Sequence, residues 1–315
     1  MTSLDELIGE RARLWNEHPI ITESAILPTR SVQDAVARVL KLARKGRGSI
    51  AFWADPEVGK SSCLMAIEAV LRERIAGCGV LWLEAAEDQQ SAEGRLLAQI
   101  LMSIRYVHKV DITLAGKRDQ VNRALLALSG EARHLFILID EAQEFNNREF
   151  GWLKAVINSL SRAGVKVTTV LFGQRELKQR REELYRDGRS DLGVRFMKTV
   201  YQFLGCRKEE DFLAICEAVD RKSEFPVGSQ LTYTQLLFPK AFDGGFRFAN
   251  HAGMMWEVVR RTVPSVKLRN GLAMEAVASI LAEAAIAFKD RDAKDMTLSE
   301  TIIEEIVIQK LKEGL

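Results

Sequence analysis

The sequence has little of what metal centres, disulfide frameworks and membrane spans require. Its 315 residues include only 4 cysteines and 4 histidines, and no two cysteines have the C-x-x-C spacing of a metal or redox site. We therefore expect neither a structural metal centre nor disulfide bonds. No apolar run approaches the roughly 18 residues that span a bilayer, and the first residues show neither the basic nor the apolar segment of a secretion signal. These absences predict a cytoplasmic protein without a membrane partner.

Net charge is also small, although its distribution is uneven. A formal net charge of +2 does not by itself indicate a nucleic-acid-binding protein. Residues 174–208, however, hold ten basic and five acidic residues, a local excess of five positive charges. Such a run fits either a solvated helix face or a basic rim on an oligomer or DNA channel. The sequence leaves both interpretations open.

What the sequence does contain is a strand–loop–helix pattern with a lysine and a hydroxyl at its centre. Residues 49–53 form an apolar run, residues 62–75 are helix-like, and a Gly-Lys-Ser motif lies between them. In such a P-loop, backbone N–H groups surround phosphates, Lys60 reaches the β and γ oxygens, and Ser61 offers its hydroxyl to Mg²⁺. The predicted nucleotide-binding residues are Ala54, Asp55, Pro56, Glu57, Val58, Gly59, Lys60, Ser61 and Ser62.

A second motif, about eighty residues further on, ends a buried-strand pattern with two carboxylates. The apolar residues 135–139 are followed by Asp140 and Glu141. At the carboxyl end of a strand, Asp140 is placed to hold Mg²⁺ together with Ser61, and Glu141 to orient an attacking water. The two motifs together predict an ATPase that uses ATP and Mg²⁺.

The P-loop departs from its usual pattern at two positions. Ala54 occupies the place of the first glycine, and Glu57 the place where many P-loops have a second one. Alanine resists positive φ, and Glu57 brings a carboxylate close to the phosphates. We therefore expect slow hydrolysis with nucleotide binding retained.

The order of predicted elements indicates the fold class. Strand and helix alternate four times between residues 49 and 172, which is typical of a parallel sheet covered by helices on both faces. Beyond about residue 209 only helical patterns remain. The sequence thus predicts an α/β fold in three parts, which are an N-terminal arm at 1–30, an α/β nucleotide-binding domain at 31–208 and a helical domain with C-terminal helices at 209–315.

This architecture and its local motifs resemble the AAA+ ATPases, which implies a P-loop AAA+ sheet followed by a small all-helical lid. The resemblance implies that Gln174, after the fourth strand, helps to place the attacking water. It implies that Arg247, after a Gly-Gly-Phe segment, reaches the γ-phosphate from the lid, and that Arg189 or Arg195 acts on a neighbouring subunit's nucleotide. From the residues alone, Gln174 fits equally a strand-end hydrogen-bond partner, and Arg247 fits the start of a helix.

Three segments resemble one particular group of AAA+ ATPases. Residues 139–143 (Ile-Asp-Glu-Ala-Gln), 171–177 (Leu-Phe-Gly-Gln-Arg-Glu-Leu) and 192–196 (Leu-Gly-Val-Arg-Phe) resemble those of the TniB/TnsC/MuB group of DNA transposition regulators. That resemblance implies a homo-oligomer, in the form of a ring or helical filament on duplex DNA, which recruits a transposase and works with a target-selection protein. It also implies that ATP hydrolysis drives disassembly.

Other functions and other surfaces stay open. A helicase-loader-like DNA ATPase similar to IstB or DnaC is one alternative, and a nucleotide-gated scaffold of a secretion or defence system without a DNA role is another. Candidate DNA contacts lie between the second and third predicted strands. The alternative interpretation of these residues is an ordinary charged surface. These candidates are Arg105, Lys109, Lys117, Arg118 and Arg123.

Overall fold

The chain forms two compact units. The computed structural model describes residues 4–87, 91–269 and 271–313. The α/β unit comprises the described parts of Asp34–Pro56 and Lys60–Phe203. The helical unit comprises the described parts of Met1–Gln33, Glu57–Gly59 and Leu204–Leu315, so residues 4–33 belong with the C-terminal helices.

The α/β unit is built on a parallel sheet. Within the described residues its strands are β1 (Gly48–Trp53), β2 (Gly79–Glu84), β3 (His134–Asp140), β4 (Lys166–Gly173) and β5 (Val200–Gln202). Their spatial order is β2-β3-β4-β1-β5, and every neighbouring pair is parallel. The predicted parallel sheet is confirmed. Strand β5 was not predicted, because its three residues at the sheet edge are partly exposed and lack an apolar run.

Helices cover the sheet because its central strands are apolar on both faces. All seven residues of β3 are buried, which suits a parallel strand between two layers of helices. Helix α6 begins with a capping box in which Asn146 and Glu149 satisfy each other's backbone N–H groups. The helices are residues 34–43 of α2 (Arg30–Ala43), α3 (Lys60–Arg74), α4 (Glu93–Ser103), α5 (Leu114–Leu128), α6 (Asn147–Arg162), α7 (Glu176–Arg186) and α8 (Ser190–Phe196).

The helical unit packs around its own aromatic core, which includes Phe212, Phe238 and Phe248. Its helices are α1 (Leu4–Leu14), α9 (Glu209–Arg221), α10 (Tyr233–Leu237), α11 (Pro239–Asp243), α12 (Phe248–Thr262), α13 (Ser265–Leu268), α14 (Met274–Ala287) and α15 (Glu300–Glu313). Helix α1 packs against α10 and α11. In the described parts of the chain, no helix combines the length and the apolar character needed to cross a membrane.

Candidate nucleotide-binding site

Polar residues lie at or just after the carboxyl ends of three strands of the α/β unit. Strands β1, β3 and β4 end at Trp53, Asp140 and Gly173. The strands are held level there, since the N–H of Ala54 donates to the carbonyl of Gly173 (3.0 Å). Because ligands of parallel sheets bind at the carboxyl ends of strands, this edge is the candidate site.

The loop after β1 leads directly into α3. Lys60 is the first residue of that helix, Ser61 and Ser62 lie in its first turn, and its leading N–H groups favour an anion. Ala54 is buried and is not among the residues with positive φ, whereas Glu57 (61°) and Gly59 (88°) are. The backbone strain expected at Ala54 therefore lies at Glu57, where a non-glycine residue costs roughly 1–2 kcal/mol.

Ser61 and Asp140 form the hydroxyl–carboxylate pair. The Ser61 hydroxyl donates to Oδ2 of Asp140 (2.6 Å), and the N–H of Glu141 donates to Oδ1 (3.0 Å). Asp140 is buried at the end of β3. A hydroxyl beside a carboxylate is a set of hard oxygen donors that suits Mg²⁺, so the residues fit the predicted ion.

Lys60 is paired with Glu141. The Lys60 ammonium is buried and lies 3.5 Å from Oε1 of Glu141. A buried ammonium requires an anionic partner, and a bound phosphate is an anion that can take this place. Glu141 has a left-handed backbone (φ 48°), which is unfavourable for a non-glycine residue and concentrates at functional positions.

Two glutamines hold the other oxygen of Glu141. Oε2 accepts hydrogen bonds from Nε2 of Gln143 (2.7 Å) and from Nε2 of Gln174 (3.3 Å). Gln143 also accepts the backbone N–H of Gln174 through Oε1 (2.9 Å), so its buried side chain joins β4 to the residues after β3. In the sequence, Gln143 was only one residue of the 139–143 motif, and no role was predicted for it. No spacing rule identifies this residue, because its contact with Gln174 crosses 31 positions.

Asp55 makes a contact that the sequence did not predict. Its carboxylate accepts a hydrogen bond from Arg175 (3.0 Å), the residue after Gln174. The Arg175 guanidinium also lies 5.9 Å from the centre of the Trp53 ring. The loops after β1 and β4 are thus linked on the exposed side as well.

Arg247 belongs to the helical unit, immediately before α12. Its guanidinium donates to the carbonyls of Phe242 (2.9 Å) and Phe246, and it lies 3.4 Å from the centre of the Phe242 ring. Burial lowers its pKa. The preceding glycines have a structural reason, since a Cβ on Gly244 would overlap the Lys294 carbonyl and Gly245 has a φ of 98°. Contact between Arg247 and nucleotide stays a prediction.

Arg189 and Arg195 have different surroundings. Arg189 donates to Asp191 (3.2 Å), whose carboxylate also accepts from Lys154. Arg195 has no acidic partner among the described residues, and burial, then the positive charge of Arg47, lowers its pKa. Arg47 directly precedes β1, whereas the loop that leads to Lys60 follows that strand. Because Arg195 is close enough to Arg47 to be affected by its charge, Arg195 lies towards the amino ends of the strands, and Lys60 lies at their carboxyl ends.

The candidate DNA contacts also divide into two groups. Arg118 pairs with Glu93 through two hydrogen bonds (2.7 and 2.6 Å), and Arg123 pairs with Asp119. In the described chain, Arg105, Lys109 and Lys117 make no ion pair. The last turn of α4 and the connection to α5 also expose apolar side chains for which no role was predicted. These are Met102 (75%), Val107 (88%) and Ile112 (85%).

Comparisons with known proteins identify an AAA domain in part of the chain. Residues 43–180 match the family model described as "AAA domain". The matched range includes the phosphate loop, Asp140, Glu141 and Gln174. The comparison with curated protein sequences finds no match.

Solved structures of similar fold cover nearly the whole chain. The ORC2 protein of Aeropyrum pernix, in ADPNP–ADP complexes, is 15% identical over 94% of this chain and 72% of its own, with a TM-score of 0.58. Cdc6p of Pyrobaculum aerophilum is 14% identical over 94% and 73%, with a TM-score of 0.55. The ORC1 protein of Aeropyrum pernix, solved in complex with DNA, is 13% identical over 93% and 69%, with a TM-score of 0.52. The chain therefore has the AAA+ fold, a parallel sheet flanked by helices and followed by a helical region, as predicted.

Proposed function

We propose that this protein is an AAA+ ATPase that hydrolyses ATP at the edge of the sheet formed by β1, β3 and β4. The observation that carries the proposal is the setting of the Glu141 carboxylate. One of its oxygens faces Lys60, and the other is held by Gln143 and Gln174. A carboxylate fixed beside a phosphate-binding lysine is placed to orient water, which is what hydrolysis of a phosphoanhydride requires.

The proposed reaction uses groups already described. A triphosphate lies against the first turn of α3 and attracts Lys60 away from Glu141. Glu141 then accepts a hydrogen bond from water, which attacks the γ-phosphorus as the bond to the bridging oxygen breaks. The proton of the water passes to Glu141 and then to solvent, and the products are ADP and phosphate. Gln143 and Gln174 keep the carboxylate oriented. Ser61 and Asp140 would hold Mg²⁺, which when bound supplies positive charge to the phosphate oxygens.

Arg195 is our candidate for the arginine that acts on a neighbouring subunit. It has no acidic partner in the described chain, whereas Arg189 is paired with Asp191. Arg195 also lies towards the amino ends of the strands, away from Lys60. It would therefore have to act on the nucleotide site of a second copy. Such a contact is heterologous, and repeated copies then form a ring or a helical filament. Loss of the γ-phosphate would weaken this interface.

We further propose that the oligomer forms on duplex DNA and regulates transposition. Support for DNA comes from Arg105, Lys109 and Lys117, which form no ion pair with the described residues and lie near exposed apolar side chains along the chain, and from the ORC1 protein of similar fold, which was solved in complex with DNA. Support for transposition, with a transposase and a target-selection protein as partners, comes from the three sequence segments that resemble TniB/TnsC/MuB.

The test combines hydrolysis with assembly. Phosphate release is measured for the wild type, Lys60→Ala and Glu141→Gln, and electron microscopy follows assembly on duplex DNA with ATP, a non-hydrolysable analogue or ADP. We expect Lys60→Ala to lose both activities, and Glu141→Gln to assemble with ATP and stay assembled. Full hydrolysis by Glu141→Gln would contradict the proposed site.

The biological task is tested separately by capture of partners on the assembled protein. Retention of a transposase supports the role in transposition. Retention of a replicative helicase instead would favour a helicase loader. Assemblies that form equally well without DNA and do not respond to salt would favour a scaffold without a DNA role.

A further inference from the structure

A basic groove lies on the α/β unit, and none of its lining residues belongs to the nucleotide site. It encloses a volume of about 490 Å³ beside the edge strand β5. One water molecule occupies about 30 Å³ of liquid, so the groove holds far more than a single ion. It is lined by Ala37, Arg38, Lys41, Leu42, Lys45, Ser49, Ile50, Lys198, Thr199 and Tyr201.

Positive side chains occupy both walls of this groove. One wall is formed by α2, where Arg38 and Lys41 are three residues apart and share one face, and by the turn after it, which contributes Lys45. The other wall is formed by the segment before β5, which contributes Lys198, and by β5 itself, which contributes Tyr201. The lining contains no acidic residue.

The three lysines of the groove lack an ion-pair partner among the described residues. Arg38 pairs with Asp34 (2.8 Å) and lies 4.2 Å from the centre of the Tyr201 ring. Lys41, Lys45 and Lys198, by contrast, form no ion pair with any described part of the chain. Like charges gathered in one concavity repel each other and concentrate anions there. The arrangement therefore favours the binding of an anionic ligand.

We propose that this groove binds the phosphate backbone of nucleic acid, a proposal that rests on the proposed DNA-binding function. These cations line a groove far larger than a single phosphate needs, which favours an extended polyanion with several phosphates over one small anion. Lysine contacts of this kind are made with phosphates and read no sequence.

The experiment compares two triple variants that lose the same charge. Lys41→Gln/Lys45→Gln/Lys198→Gln empties the groove of its unpaired cations. Arg44→Gln/Lys222→Gln/Lys312→Gln is the matched control, since these exposed residues lie outside the groove lining. Binding of labelled duplex and single-stranded DNA is measured by fluorescence anisotropy over a range of salt concentrations, with a non-hydrolysable ATP analogue. Thermal melting and DNA-free ATP turnover show whether each variant is folded.

We expect the groove variant to bind DNA at least ~10-fold more weakly at moderate salt, with ATP turnover unchanged. The slope of log affinity against log salt should become shallower by about 0.9 for each lost phosphate contact on duplex DNA. The control variant and Lys41→Arg/Lys45→Arg/Lys198→Arg should bind as the wild type does.

Three outcomes would overturn the proposal. If the groove variant binds DNA as tightly as the wild type, the groove is not the site, although the proposed DNA-binding function survives. If the wild type itself binds no DNA, the proposed function fails with the groove. If polyglutamate binds in a groove-dependent way and DNA does not, the occupant is an acidic protein.

Discussion

Ser61 donates a hydrogen bond of 2.6 Å to Oδ2 of Asp140, a residue 79 positions further along the chain. The contact brings together the first turn of α3 and the carboxyl end of β3. Each residue alone is ordinary, since many helices contain serine and many strands end in aspartate. Their contact makes a candidate Mg²⁺ site, because a hydroxyl and a carboxylate side by side form the donor set that a hard divalent cation prefers.

Ser61→Ala and Asp140→Asn should each weaken the Mg²⁺-dependent part of nucleotide binding. Both residues belong to one hydrogen-bonded pair, so their effects should not add in the double variant. The measurement is the nucleotide Kd with Mg²⁺ and with chelator, and Ser103→Ala on α4 is the control. Additive losses, or losses that are equal in the presence of chelator, would show that the pair is structural.

Gln143→Ala should slow hydrolysis and leave nucleotide affinity nearly unchanged. In the described structure, Gln143 contacts the candidate base and the backbone of Gln174, but not Lys60, the candidate phosphate-binding residue. Loss of this contact lets Glu141 turn away from its productive orientation, and we expect a fall in kcat of roughly 10-fold. The checks are single-turnover hydrolysis and ATP binding, with the exposed Gln309→Ala on α15 as the control. A matching fall in affinity would place Gln143 in binding instead.

Much of this site could be predicted from the sequence, for identifiable reasons. Strands β1, β3 and β4 are short apolar runs, and Lys60, Asp140 and Glu141 follow them directly, so parallel packing alone brings them to one edge. Gln143 was missed because its role depends on a contact across strands. The groove was missed because Arg38, Lys41 and Lys45 are far along the chain from Lys198, and only the pairing of β1 with β5 brings them together.

Glu57→Gly should stabilise the protein, whereas Glu57→Ala should not. Glu57 has a φ of 61°, which glycine adopts freely and alanine does not. The gain is partly offset by the larger entropy of glycine in the unfolded chain, so we expect a net increase of about 0.5–1 kcal/mol in the free energy of unfolding. Urea unfolding provides the measurement.

The same two variants distinguish between two possible causes of the slow ATP hydrolysis that we predict. Both remove the carboxylate, but only Glu57→Gly relaxes the backbone. If the charge is what slows the reaction, both variants should turn over ATP faster. If the loop conformation does so, only Glu57→Gly should. Equal stability of both variants would contradict the proposed strain.

His18 should make the helical unit less stable in mild acid. The imidazole is buried, its Nδ1 accepts the N–H of Ile20 (3.1 Å), and its ring packs edge-on against Phe225 and Tyr233. Burial lowers its pKa to about 4, from the usual 6.5. Between these values the unfolded chain binds a proton that the folded chain does not, so the free energy of unfolding falls as the pH falls.

The variant His18→Asn tests this pH dependence, because its side-chain oxygen can accept the Ile20 N–H but does not titrate. We expect it to be less stable than the wild type at pH 7.5, with the difference shrinking by about 2 kcal/mol at pH 5. His134 also has a pKa lowered to about 4, by burial and then by Lys166, so some acid sensitivity should persist in the single variant. The measurement is urea unfolding at both pH values, with His134→Asn as the comparison. If His18→Asn and the wild type lose equal stability between pH 7.5 and 5, then His18 is protonated equally in the folded and unfolded chains, and its burial does not govern the acid response.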